Sequence, residues 1–186
     1  MITTFACDTK LAEQAEHAAT ITETGKYIVS ILQADTYEFT AKSGSHYQVV
    51  RMLVETAQKQ RQTIELYVEG SQSDYQKKMF HAILTCAHVQ NASFIPANIK
   101  EHRYGVTKPE IKKGFRCREL EGKFIGILFQ KVLRNYEDKG QVYDTFSMNV
   151  YRVFDAKTEQ TAVEIINNKL MTSLNKILCH WLTHNT

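Results

Sequence analysis

The chain has 186 residues, 43% of them hydrophobic, enough to build one packed domain with terminal appendages. Its formal net charge is only +3, and no stretch reads as a membrane span or a secretory leader. With two prolines, eight glycines and no low-complexity tract, neither a linker nor a repeat is expected. The expectation is a soluble protein of the cytoplasm, or of the host cytoplasm if viral.

Residues 1–25 form a polar, Ala-rich extension compatible with a short helix from near Asp8. The first strand runs from Lys26 to Phe39, with Tyr27, Val29 and Ile31 on one side and Ser30, Leu32 and Ala34 on the other. It reads as long and bent. A Lys-Ser-Gly-Ser turn leads into "HYQVVRMLVET", where Val50, Met52 and Val54 share a face. In the third strand, "TIELYVE", Ile64, Leu66 and Val68 oppose Thr63, Glu65, Tyr67 and Glu69. The period then becomes helical: Met79, Phe80, Ile83 and Ala87 recur at three and four, behind a capping-box pair Ser73 and Gln76.

Residues 100–118 hold seven cations against Glu101 and Glu110, a local excess that suits a polyanion. They are expected to form a connector between the helix and the fourth strand, gathering phosphate without reading bases. Two long strands follow around "EDKG"; in the second, Phe146, Met148, Val150 and Arg152 alternate with Thr145, Ser147, Asn149 and Tyr151. Finally Val163, Ile166, Leu170, Leu174, Ile177 and Trp181 form an apolar stripe, predicting one amphipathic helix over 159–186 that docks on the barrel or joins a second subunit.

The fold expectation is therefore mainly β with flanking helices: a five-stranded OB-fold barrel, β-β-β-α-β-β, over 26–158. Single-stranded nucleic acid needs cations for phosphate and flat side chains for bases. Tyr37, Phe39, Lys42, Tyr47 and Arg51 cluster about the first hairpin, with Tyr67 on the third strand. Lys131, Arg134, Tyr143 and Tyr151 surround the second hairpin, with Tyr136 and Lys139 beside them. Lys108, Lys112, Lys113, Arg116 and Arg118 supply the basic stretch.

Catalytic and metal-binding patterns are weaker, and neither a catalytic residue, a metal ligand nor a cofactor is assigned. Cys7, Cys86, Cys117 and Cys179 lie far apart and read as free thiols. His180 and His184 lack the intervening glutamate of a zinc-protease motif, and His81, Cys86 and His88 fall among helical packing residues. Glu110 and Lys112 have a Glu-x-Lys spacing used by metal-dependent nucleases, but Asp35 or Glu55 would have to provide a further carboxylate ligand.

"ETGKYIVSILQADTYEFTAKSGSHYQVVRMLVE", a following helix and "LEGKFIGILFQKVLRNYEDKGQVYDTFSMNVYRVFD" together resemble the small phage single-stranded-DNA-binding proteins. The shared features are a G-x-Y opening strand, a K-S-G hairpin and an L-x-G-K strand, across roughly residues 23 to 166. The resemblance implies an OB-fold that coats single-stranded DNA during replication or recombination, without catalysis. It also implies contact with replication or recombination proteins. Such proteins often end in an acidic tail, whereas this chain ends "NKILCHWLTHNT". The alternatives are a β-barrel adaptor that binds a host factor and, third, a metal-dependent nuclease.

Overall fold

The computed structural model describes residues 19–70, 73–101, 110–138 and 141–172. Seven strands join one antiparallel sheet: β1 (Gly25–Thr40), β2 (His46–Thr56), β3 (Arg61–Glu69), β4 (Ile95–Glu101), β5 (Glu110–Arg116), β6 (Phe124–Asp138) and β7 (Gln141–Asp155). Helix α1 (Ser73–Cys86) follows β3, and the short α2 (Ala162–Ile166) follows β7.

β1 organises the sheet. One edge pairs with β2 from Val29 to Thr40; the other is divided between β6, along Gly25 to Ser30, and β5, at Asp35 and Thr36. A bulge between Ile31 and Gln33 makes this bent strand serve both partners. It also shifts the alternation: Val29 and Ile31 are buried before the bulge, and Ala34 and Thr36 after it. The expected two-sided reading of β1 thus holds only for its first half.

The core lies between the sheet and α1. Met52 and Val54 of β2, Ile64 and Leu66 of β3, and Ile125, Ile127 and Phe129 of β6 meet Met79, Phe80 and Ile83 of the helix. At about 25 cal/mol per Å² of apolar surface, each fully buried branched side chain contributes about 2 kcal/mol. Such burial is why the helical stripe and the three strand patterns were visible in the sequence.

The structure departs from the expected five strands. Residues 95–101 and 110–116 pair from Ile95 opposite Arg116 to Glu101 opposite Glu110, where a connector was expected. β4 is an edge strand, where Pro96 can be accommodated. Among the described residues β3 and β7 share no ladder, so the sheet is open there.

Both termini also differ from their expected boundaries. Ile21 is fully buried, and Arg61 donates its N–H to Ala19, so residues 19–24 belong to the packed unit and not to an extension. After Ile166 the chain turns at Asn167 and Asn168 instead of continuing the helix. Buried Glu164 causes the reversal: one carboxylate oxygen accepts the Thr161 N–H at 2.8 Å and the other the Thr172 N–H at 2.7 Å. Leu174, Ile177, Trp181, His180 and His184 lie outside the described residues, as do Asp8, Lys108 and Lys139.

Candidate nucleic-acid interface

On the face of β1, β2 and β3 turned away from the core, the strand register gathers four rings from three strands. Phe39 stands opposite Tyr47, and Tyr37 opposite Val49, which in turn faces Tyr67. Side chains directly opposite one another share a face, and these rings meet. Phe39 stacks on Tyr47 at 5.3 Å between centroids and on Tyr37 at 6.3 Å, while Tyr67 meets Tyr47 edge-on at 5.8 Å. Phe39 is 38% exposed, and the three tyrosines are half-buried above fully buried Val49. A ring tier with one side in water keeps aromatic area available for another flat group.

The turn below the tier is a three-residue loop. Ala41 donates its N–H to Ser45, Gly44 donates to Ala41, and Gly44 adopts φ 84°, a conformation that costs most side chains dearly. Lys42 sits exposed on this loop. Beside this turn, Gly70 leaves room for the Tyr47 ring: a Cβ there would lie 2.5 Å from a ring carbon. Nothing in the sequence marked Gly70, because the constraint comes from a ring distant in the chain.

Arg51 joins the cluster in another capacity. Its Nε and Nη2 donate to the two oxygens of buried Asp35 at 3.1 and 2.8 Å, and its guanidinium lies 5.4 Å from the Tyr37 ring centre. The Tyr37 hydroxyl donates to Glu65 at 3.1 Å; burial first, and then that carboxylate, push the phenol well above its ordinary range. Arg51 therefore braces the tier, with its charge compensated by Asp35.

The second hairpin presents another stack. Tyr136 and Tyr143 lie 5.2 Å apart, 41% of Tyr143 being exposed, and Lys131 lies 4.8 Å from the centre of Phe146. Leu133 and Val142 stand in water on the same ribbon. Between the two hairpins runs a cleft of about 360 Å³, lined by Thr63 and Glu65 of β3, Tyr75 of α1, Arg134 of β6 and Tyr151 of β7. The structure thus connects Arg134 and Tyr151 with the edge of the aromatic tier.

The cations of the basic stretch are divided. Lys113 and Arg118 are exposed, whereas Arg116 donates to Glu121 at 2.5 Å, an interaction that raises the guanidinium pKa further. Lys112 belongs to β5. Lys131 is half-buried, with Glu23 at 3.4 Å. Lys113 lines a gap beside the tier with Phe115 and Ile99, two residues whose sequence context did not single them out.

The chemical alternatives gain little. Cys86 and Cys117 are free and buried, and burial raises their thiols to about 12 and about 11. The exposed His88 ring contacts buried Asp155, joining the end of α1 to β7. Asp35 is held by Arg51, and Glu55 by Lys59 and Arg61, both at 2.8 Å. Among the described residues no cluster of three metal-ligating side chains forms, and no helix is long and apolar enough to cross a membrane. No protein-family model matches the chain, and no curated protein is significantly similar to it.

Proposed function

We propose that the protein is a non-catalytic, sequence-tolerant binder of single-stranded DNA, serving phage-type replication or recombination. The observation that carries this reading is the half-exposed ring tier of Tyr37, Phe39, Tyr47 and Tyr67, with Lys42 and Lys113 nearby. Every base has a flat face, so rings stack without reading sequence, while cations follow the phosphates.

The strand order supports an OB-type barrel as the scaffold. β1, β2 and β3 precede the helix, β6 returns to the first half of β1, and β7 follows by a hairpin. In that reading the β4–β5 hairpin is an insertion, and β3 and β7 approach across the cleft. Because barrels of this type serve unrelated partners, the functional weight stays on the rings.

The direct test is a titration with single-stranded DNA, duplex DNA and RNA over a salt series. Preferential single-strand binding that weakens with salt is expected, because phosphate contacts release counterions. Tyr47→Ala and Tyr67→Ala should each weaken it by about 1–3 kcal/mol with little dependence on base identity. Folded variants that bind like the parent would remove the tier from the interface; no binding by the parent would overturn the reading.

A further inference from the structure

β5 leaves β1 almost as soon as it joins it. Their ladder has two rungs, Asp35 opposite Arg116 and Thr36 opposite Phe115, whereas β5 stays paired with β4 along its entire length. The divergence opens a wedge of about 330 Å³, walled by Thr36, Tyr37, Glu38 and Phe39 on one side and Lys113, Gly114 and Phe115 on the other. That volume lies at the small end of ligand pockets.

The hydrogen-bond alternation identifies which backbone groups face this wedge. Ala41 donates its N–H toward β2, to Ser45, while Ala34 accepts from Cys117 on the opposite edge. Odd-numbered residues from 35 to 41 therefore turn their peptide groups to β2, and Ala34, Thr36 and Glu38 turn theirs the other way. The Thr36 peptide groups are met by Phe115. By the same alternation, the peptide groups of Glu38 and Lys113, both lining the wedge, are turned toward the opening beyond the last β1–β5 rung.

We propose that this wedge receives one nucleobase, splayed out of a strand lying on the neighbouring ring tier. The inference rests on the single-strand reading and adds a defined pocket to it. A base is flat and carries donors and acceptors along its edge, as do the two diverging backbones. Tyr37, Phe39 and Ile99 provide apolar surface at the wedge, and the Lys113 ammonium is available to the adjoining phosphate. Gly114 preserves this shape: a Cβ would lie 2.2 Å from the Ile99 Cδ1 and displace that side chain. An extended peptide fits less well, because strand addition needs a long open edge and this wedge has walls of three or four residues.

Photocrosslinking of the unaltered protein tests the placement. A short oligonucleotide carrying 4-thiothymidine at a single scanned position should form adducts within residues 36–39 or 113–115. If the oligonucleotide binds but adducts fall only elsewhere, for example on Tyr47 and Tyr67, the pocket is refuted while single-strand binding stands. If it does not bind, both readings fall. Lys113→Pro compared with Lys113→Ala then isolates the backbone donor: both lose the ammonium, but only proline loses the N–H, which β4 does not use. The proline variant should bind about three- to tenfold more weakly than the alanine variant. Equal affinity of the two folded variants would refute backbone recognition.

Discussion

Arg51 and Asp35 show how the surroundings of a residue decide its role. An arginine among tyrosines suits phosphate binding, but Asp35 is 1% exposed and takes both arms of the guanidinium. Removing one member of such a pair leaves the other charge buried and unpaired. Arg51→Ala should therefore cost about 3 kcal/mol of folding stability, measured by urea unfolding. Arg51→Lys should recover only part of it, because an ammonium cannot make the two-armed contact. A loss below about 1 kcal/mol would show that Asp35 finds water or another donor instead.

Asp155 gives a second residue-scale expectation. Burial works to raise its carboxyl pKa, but the N–H groups of Thr158 and Lys157, together with His88, outweigh burial and hold it below the ordinary 3.8. A depressed folded pKa contributes stability that is present above the unfolded value and disappears as pH falls through the folded one. Asp155→Asn should thus be less stable than the parent near neutrality, with the difference shrinking below pH 3.8. A difference that stays constant down to about pH 2, across unfolding curves of both proteins, would contradict the linkage.

At the scale of elements, α1 does more than cover the core. Gln76, singled out in the sequence by its spacing from Ser73, accepts the Tyr67 N–H on its side-chain oxygen at 2.6 Å, tying the helix to the edge of β3. Gln76→Ala should leave that edge donor without its helix partner and cost about 1–2 kcal/mol, read by thermal unfolding. It should also increase amide exchange at Tyr67 more than at Ile64, which lies deeper in β3.

The elements legible in the sequence were those with one buried side. β2, β3 and α1 carry periodic apolar residues because one face packs on the core. β4 and β5 were missed because Ile111 and Phe115 are exposed and Pro96 argues against a strand. The terminal stripe misled for the opposite reason: its spacing is helical through Leu170, but the chain turns after Ile166 around the Glu164 carboxylate. The rings of the tier were identifiable by type and strand position. Their mutual contacts required the register, and the wedge required the departure of β5 from β1.

Across the whole molecule, the proposed function makes the wedge, ring tier and β3–β7 cleft one path for a single strand, an expectation that salt dependence can test. Glu65 marks the passage from tier to cleft: it accepts the Tyr37 hydroxyl and lines the cavity that also contains Arg134 and Tyr151. A carboxylate there repels phosphates, so bases should face Glu65 while the backbone is held nearer Lys113 at one end and Arg134 at the other. Taking away a cation that neutralises one phosphate should make the salt slope on a single strand shallower by about 0.7. Lys113→Ala and Arg134→Ala should therefore each remove that amount for an oligonucleotide of roughly twelve nucleotides, and the double variant about 1.4. With roughly four nucleotides, too few to reach both ends, the double variant should remove no more than the stronger single one. Equal additivity at both lengths would place the cations beside the same few phosphates, ruling out a path that runs from the wedge to the second hairpin.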